Sequence, residues 1–134
     1  ALRVLDLPHR LRQWQKTLGD TAADRAVWVA EVEGEVVGLA ACSAPQAAVF
    51  QPYGEISYLY VDPACRGQGL GRDLLAVATA FLRDTGFPGA ALAVVRQNTA
   101  ARDFYRHLGG TETAEFTDPG PIWPSDDVLV IWNF

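Results

Sequence analysis

The sequence predicts an α/β fold within a single domain that spans residues 1–134. A chain of 134 residues is long enough for one hydrophobic core. Residues 55–75 read in order as a strand, a glycine-rich loop and an apolar helix, and residues 90–95 form a short run that is apolar throughout. Such a run is typical of a strand that is buried on both faces of a sheet. This alternation of strands and helices favours an α/β domain.

The first part of the chain predicts a helix and then a β-hairpin. Between Asp6 and Leu18, apolar side chains recur at helical spacing, at Leu7, Leu11, Trp14 and Leu18. The run Val27–Val32, a turn at 33–35 and the run Val36–Cys42 predict two strands joined by a tight turn. Residues 43–54, which contain two prolines, predict a loop.

The second part of the chain predicts alternating strands and helices. Glu55–Val61 is predicted as a strand, and the following helix carries an apolar stripe at 3.6-residue spacing and ends at Gly86. The stripe consists of Leu70, Leu74, Leu75, Ala78, Phe81 and Leu82. After the strand Ala90–Val95, Asn98 is a candidate N-cap for a helix that Gly109 and Gly110 terminate. Thr111–Phe116 and Val128–Phe134 then predict a final pair of strands.

The composition excludes several classes of protein. Lys and Arg number 11 against 16 Asp and Glu, so the net charge of −5 argues against general nucleic-acid binding, which needs a basic surface. We see no apolar run of membrane-spanning length and no signal peptide, so we expect no membrane association and a cytoplasmic setting. The two cysteines form neither a disulfide framework nor a zinc motif, and we expect no metal site.

The stretch from Glu55 to Leu75 predicts an anion-binding site. A strand that ends in a glycine-rich loop and a helix N-terminus presents free backbone N–H groups, and the helix dipole also favours negative charge there. A nucleoside triphosphate loop would need Lys and Ser or Thr after Gly71, where Arg72 and Asp73 stand. A dinucleotide fingerprint that starts at Gly67 would need a third glycine at residue 72. The site therefore predicts a phosphate-bearing ligand of another kind.

Residues 66–71 follow the pattern R-x-x-G-x-G, which resembles the acyl-coenzyme A loop of the GNAT superfamily of N-acetyltransferases. The preceding residues 60–63, Tyr-Val-Asp-Pro, are similar to the strand end that leads into this loop in the family. Residues 98–109 resemble the second signature of the family, N-x-x-A-R-x-F-Y-x-x-x-G. The order of elements is similar from end to end, which implies a central mixed, mostly antiparallel sheet flanked by helices.

The resemblance implies acetyl-coenzyme A as co-substrate. In the family, the strand equivalent to the one that contains residues 59–61 here splays away from the next strand, and its free edge pairs with the pantetheine arm. The amides of the following loop hold the pyrophosphate. Carried over to this sequence, the coenzyme-binding residues are Leu59, Tyr60, Val61, Arg66, Gly67, Gln68, Gly69, Leu70, Gly71, Arg72, Asn98 and Tyr105. The backbone amide of Val61 is the candidate donor to the oxyanion. Arg102 is expected to form a structural salt bridge.

The resemblance also implies an N-acetyltransferase that transfers an acetyl group to a primary amine by direct attack in a ternary complex. Tyr105 is the candidate general acid for the departing thiolate, and Glu55 is the candidate base, acting through water. In an alternative interpretation, Tyr53 and Tyr58 line the acceptor channel. A cationic acceptor would fit Glu115, Asp126 and Asp127.

Three questions stay open from the sequence. Family members usually open with a strand and a further helix, whereas this chain goes almost at once into a predicted helix, so we expect those elements to be missing. The same coenzyme site would serve a catalytically inactive acyl-coenzyme A-binding module, or an acyltransferase that uses another acyl chain or a hydroxyl acceptor. Exposed strand edges near the C-terminus would permit a homodimer.

Overall fold

The described part of the chain forms one mixed sheet with two α-helices on one of its faces. The computed structural model describes residues 10–14, 25–67, 69–120 and 124–134. Along the chain, the elements are β1 Arg10–Trp14, β2 Ala26–Val32, β3 Glu35–Ser43, β4 Gly54–Val61, α1 Leu70–Thr85, β5 Gly89–Val95, α2 Thr99–His107, β6 Thr111–Asp118 and β7 Ser125–Asn133. The strand order is β1-β2-β3-β4-β5-β7-β6, and every neighbouring pair is antiparallel except β4 and β5. The predicted fold class is confirmed.

The prediction of a helix over Asp6–Leu18 is wrong for Arg10–Trp14, which form the edge strand β1. Leu11 packs against the core, while Arg12 forms an ion pair with Glu31 of β2 at 2.7 Å. The expected absence of an opening strand is therefore wrong too, because β1 precedes the hairpin. The remainder of the predicted helix lies outside the described residues.

The main core lies between the sheet and the helices. α1 buries Leu70, Leu74, Leu75, Ala78 and Leu82 against the sheet, as the apolar stripe predicted. The predicted end of the helix at Gly86 is confirmed, since Gly86 has a φ of 110° and its N–H donates to the carbonyls of Leu82 and Arg83. A leucine as deeply buried as Leu74 contributes about 2–5 kcal/mol relative to alanine. The core thus fixes α1 firmly on the sheet.

The predicted N-cap of α2 is also confirmed. The side chain of Asn98 accepts a hydrogen bond from the N–H of Ala101 at 3.1 Å. Ala101, Tyr105 and Leu108 then pack against the core, so one face of α2 is held on the sheet and the other is exposed. Neither described helix is long and apolar enough to cross a membrane.

The sheet opens between β4 and β5. These two strands pair only at Gly54 with Ala90 and at Glu55 with Ala91. Immediately beyond, β4 contains a bulge at Ser57, because Ile56 and Tyr58 lie opposite the consecutive residues Cys42 and Ala41 of β3. A bulge bends its strand. The strand β5 continues alongside β7 to Val95 while β4 diverges, which leaves a gap in the middle of the sheet.

The opposite side of the sheet, which we call the outer face, carries a smaller apolar cluster. Phe50, Ala91, Leu129 and Ile131 form its buried part, and Tyr53 and Phe116 pack against it. Phe50 and Tyr53 belong to the loop predicted at 43–54, so this loop covers the part of the outer face where β4 and β5 are paired, which we call its lower part. The upper part of the outer face lies beside the gap, beyond Glu55 and Ala91.

Candidate functional site

A cleft of about 1030 Å³ lies where the gap in the sheet meets the N-terminus of α1 and one face of α2. Both sequence patterns contribute to it, although they are about thirty residues apart in the chain. Of the residues predicted to bind a coenzyme, the cleft is lined by Leu59, Tyr60, Val61, Arg66, Gly67, Gly69, Leu70, Gly71, Arg72, Asn98 and Tyr105. Gln68, which was also predicted, lies outside the described residues.

The glycine-rich loop presents free amides to the cleft. Gly67 and Gly69 have φ values of 81° and 80°, which glycine adopts without strain. The N–H of Asp73 bonds to the carbonyl of Gly69 at 3.0 Å and is the first intrahelical bond of α1. The preceding amides, from Leu70 to Arg72, therefore have no helical acceptor. Together with the helix dipole, they favour negative charge at this end of the cleft.

The cationic side chains of the loop stand beside these amides. Arg66 and Arg72 are both exposed and both line the cleft. Ahead of them, the carboxylate of Asp62 accepts a hydrogen bond from the N–H of Ala64 at 2.9 Å, which fixes the turn at the end of β4. A guanidinium is suited to phosphate because it offers several donors in one plane. The loop is thus positioned for a ligand that carries phosphates.

The free edge of β4 forms the wall that faces the gap. The N–H of Asp62 donates to the carbonyl of Val37 on β3 at 2.7 Å. Since backbone groups alternate in direction along a strand, the N–H groups of Leu59 and Val61 point away from β3 and toward the gap. They are therefore available to an extended ligand that enters the gap.

Tyr105 lies on the opposite wall, on α2. Its ring makes an edge contact with Trp132 at 6.2 Å between centroids and a tilted contact with Phe104 at 5.7 Å. Burial raises the pKa of its phenol above the ordinary value, so the hydroxyl keeps its proton at neutral pH. Among the described residues, none forms a hydrogen bond with this hydroxyl. Tyr105 can therefore act as a proton donor.

Arg102 holds α2 in place. Its guanidinium makes two hydrogen bonds with the carboxylate of Glu112 on β6, at 2.8 and 2.9 Å, and a third with the carbonyl of Arg96 at 2.9 Å. The hydrogen bond from Arg102 lowers the pKa of Glu112. Arg102 does not line the cleft, and the expectation of a structural salt bridge is confirmed.

Glu55 is the predicted site residue that the structure does not bring into the cleft. It is buried on the outer face, and its carboxylate accepts a hydrogen bond from the N–H of Gln46 at 2.9 Å. Glu55 is also the last residue of β4 that pairs with β5, so it marks the start of the gap. Its carboxylate therefore faces the side of the gap opposite to Tyr105, and its role as a base stays a prediction.

Several residues of the cleft were not predicted from the sequence. Leu75, Ala76 and Thr79 extend the face of α1 that begins at Arg72, and helical spacing alone could have identified them. Phe104, His107 and Leu108 line the cleft from α2, and Trp132, Asn133 and Phe134 line it from the end of the chain. The last three come into place through the pairing of β5 with β7, which local spacing does not reveal.

Neither of the two cysteines is in a disulfide, and they differ in burial. Cys42 is buried, and burial raises the pKa of its thiol to about 12, so the thiol is inert at neutral pH. Cys65 is half-buried at the side of the cleft. Within the described ranges, no group of three or more His, Cys, Asp or Glu side chains is arranged to hold a metal ion.

Comparison with known proteins identifies similar chains. Residues 3–109 match the model of the Acetyltransferase (GNAT) family. An uncharacterized N-acetyltransferase of Archaeoglobus fulgidus is 40% identical over 81 residues, which are 59% of this chain and 55% of that protein. A mycothiol acetyltransferase of Cellulomonas flavigena is 35% identical over 99 residues, which are 69% of this chain and 28% of that protein. The chain thus spans about half or less of the length of these relatives.

A solved structure shares the fold of this chain over almost the whole length of both chains. It is a GNAT family acetyltransferase from Elizabethkingia anophelis with acetyl-CoA bound, with a TM-score of 0.70 and 12% sequence identity. The superposition covers 94% of this chain and 98% of that one. At this identity, the likeness concerns the arrangement of the elements.

Proposed function

Because the chain belongs to the acetyltransferase (GNAT) family, we propose that it transfers an acetyl group from acetyl-coenzyme A to a primary amine, by direct attack in a ternary complex. One observation carries this proposal. The gap between β4 and β5 has the glycine-rich loop and Tyr105 on one side of the sheet and Glu55 on the other. The two substrates can therefore enter the gap from opposite sides and meet inside it.

The cleft fits acetyl-coenzyme A in chemistry and in size. The amides from Leu70 to Arg72, with Arg66 and Arg72, suit the pyrophosphate. The backbone of Leu59 and Val61 offers free edge groups to the amides of the pantetheine arm, as a sheet does to an added strand. A volume of about 1030 Å³ is at the upper end of ordinary ligand sites, as a large coenzyme requires.

Acetyl-coenzyme A supplies a thioester carbonyl as the electrophile. The N–H of Val61 points into the gap and would donate to the carbonyl oxygen as negative charge develops on it during attack. As the C–S bond breaks, Tyr105, which is protonated at neutral pH, would pass its proton to the departing thiolate. The proton that the attacking nitrogen loses when the amide forms would then restore the phenol through water. Val61 and Tyr105 stand on opposite walls of the cleft, so the leaving group would lie between them.

The acceptor amine must lose a proton before it attacks. A primary amine resembles lysine, with a pKa of about 10.4, so at neutral pH it is almost entirely protonated. Glu55 is a carboxylate on the outer face, where the gap begins, and would take this proton through water. Its hydrogen bond from Gln46 also links it to the loop that borders the outer face.

Calorimetric titration with acetyl-coenzyme A tests the coenzyme site. The informative pair of variants is Gly69→Asp and Gly69→Asn, because both place a side chain of similar size at a left-handed position and only the first adds negative charge. We expect micromolar binding by the wild type, a modest loss in Gly69→Asn and no measurable binding in Gly69→Asp. Equal losses in the two variants would show that the loop does not bind an anion.

Turnover with a panel of primary amines tests the transfer itself, by the release of free coenzyme A and the mass of the product. We expect acetylation of at least one amine. Binding of acetyl-coenzyme A without acetylation of any amine would instead identify a coenzyme-binding module without this activity. Acetylation of a hydroxyl compound in preference to its amine analogue would overturn the amine as acceptor.

A further inference from the structure

Two tyrosines stand on the outer face beside the gap. Leu59 and Val61 pack against the helix-side core, so the residues that alternate with them, Tyr58 and Tyr60, project from the other face. They are among the most exposed large hydrophobic residues of the described chain, at 62% and 49% relative exposure. Two aromatic rings thus lie on the β4 side of the gap, where the acceptor would enter.

A buried carboxylate lies beyond the gap, on the strand that follows β5 in the sheet. Asp127 of β7 pairs in register with Val95 of β5 and has only 6% of its surface exposed. The neighbouring residues Val128 and Val130 belong to the helix-side core, so Asp127 lies on the outer face by alternation. The hydroxyl of Ser125 donates to its Oδ1 at 2.9 Å, and Oδ2 receives no hydrogen bond from any described residue.

The strand register places these groups at one level of the sheet. The count starts from the pair Glu55 and Ala91, where β4 and β5 still lie side by side. Val95 lies four residues after Ala91 on β5. On β4, four residues after Glu55 plus the one extra residue of the bulge lead to Tyr60. Asp127 is the partner of Val95 on the next strand. Tyr60 and Val95 therefore face each other across the gap, and Asp127 lies at the same level, one strand beyond Val95.

The other acceptor candidates from the sequence lie elsewhere. Asp126 forms an ion pair with Arg96 at 3.3 Å and accepts a hydrogen bond from Thr117. Glu115 pairs with Val128 and so faces the helix side, where its charge acts on Arg102. The ring of Tyr53 packs beside Gly89, at the lower part of the outer face.

We propose, building on the amine acetyl transfer proposed above, that Tyr58, Tyr60 and Asp127 select acceptors that carry a second positive charge besides the reacting amine. Aromatic faces attract a cation within about 6 Å of the ring centre. A buried carboxylate acts on a nearby charge with little screening by salt. Together the three side chains provide an aromatic wall on the β4 side of the gap and a negative charge on the other side, just beyond Val95.

The test compares two acceptors that differ only in the second charge. 1,4-Diaminobutane is a dication, and 1-aminopentane replaces one of its ammonium groups by a methyl group. We expect the wild type to have a higher kcat/KM for the diamine. The neutral variant Asp127→Asn should lower this preference about tenfold, as expected for a charge several ångströms from the bound cation. Asp126→Asn removes the same charge from the adjacent, ion-paired position and should leave the preference unchanged.

Aromatic substitutions test the tyrosines in the same assay. Tyr58→Phe and Tyr60→Phe keep the ring face and should keep the preference, whereas Tyr58→Leu and Tyr60→Leu should each lower it about threefold. Calorimetry of diamine binding to the coenzyme A complex should show the same order of variants without depending on turnover.

The outcomes separate this inference from the proposed function. If acetylation is observed and the monoamine is used as well as the diamine, or if Asp127→Asn and Asp126→Asn behave alike, the selection of a second charge is wrong while amine acetylation stands. If neither these amines nor any other amine is acetylated, the proposed function fails and the inference fails with it.

Discussion

The ring of Phe104 on α2 lies directly against the backbone of Gly71 in the first turn of α1. A Cβ atom on residue 71 would overlap this ring, so a side chain there would require Phe104 to move. Gly71 has an ordinary helical conformation and is thus required for close packing, whereas Gly69 has a left-handed φ of 80° with no tight contact. The two glycines of the loop therefore serve different purposes. One shapes the backbone, and the other lets α2 close the cleft against α1.

The contact between Gly71 and Phe104 predicts that Gly71→Ala destabilises the protein. We expect a loss of about 1–3 kcal/mol in the free energy of unfolding, which is usual for overpacking, and weaker binding of acetyl-coenzyme A because α2 is displaced. Denaturant unfolding and calorimetry measure the two effects. The double variant Gly71→Ala, Phe104→Leu should recover most of both losses. Additive losses in the double variant would show that Phe104 is not the obstacle.

The ion pair between Arg102 and Glu112 predicts a stability that depends on pH. Because Arg102 holds the pKa of Glu112 below the ordinary value of about 4.3, the pair stabilises the folded state above that pH. This stabilisation is lost as the pH falls through the lowered pKa. Glu112→Gln should therefore have a lower Tm than the wild type at pH 7, and the difference should shrink toward pH 3. In the exposed control Glu35→Gln, we expect no comparable difference at either pH.

The loop and the helix N-termini that line the cleft could be predicted because short local patterns encode them. The glycines of residues 66–71 and the cap at Asn98 specify a loop and two helix N-termini within a few residues each. β1 was mistaken for a helix because Leu11 and Trp14 satisfy helical spacing, while five residues are too few to reveal the alternation of a strand. Trp132 and Phe134 reach the cleft only because β7 pairs with β5, about forty residues earlier in the chain. A local sequence pattern cannot predict such a long-range pairing.

Removing the hydroxyl of Tyr105 should slow the chemical step and leave the binding of acetyl-coenzyme A intact. Tyr105→Phe keeps the ring between Phe104 and Trp132 and removes only the hydroxyl. We expect kcat to fall about 100-fold, while the affinity for acetyl-coenzyme A stays within about twofold. Steady-state kinetics and calorimetry measure the two quantities. A variant that keeps the kcat of the wild type would exclude Tyr105 as the acid, and a parallel loss of affinity would indicate a role in packing.

Replacing Glu55 should lower kcat/KM at pH 7, and high pH should restore most of it. Glu55→Gln keeps a side-chain oxygen that can accept the hydrogen bond from Gln46, so the loop contact is retained while the basic group is lost. We expect kcat/KM to fall about 100-fold at pH 7. Near pH 10 about 30% of an acceptor amine with a pKa of about 10.4 is already deprotonated, against less than about 0.1% at pH 7, so most of this deficit should disappear. The control Glu31→Gln changes a carboxylate of β2 that is held by Arg12, and it should be neutral at both pH values. A deficit of equal size at pH 7 and pH 10 would assign Glu55 to holding the loop rather than to proton transfer.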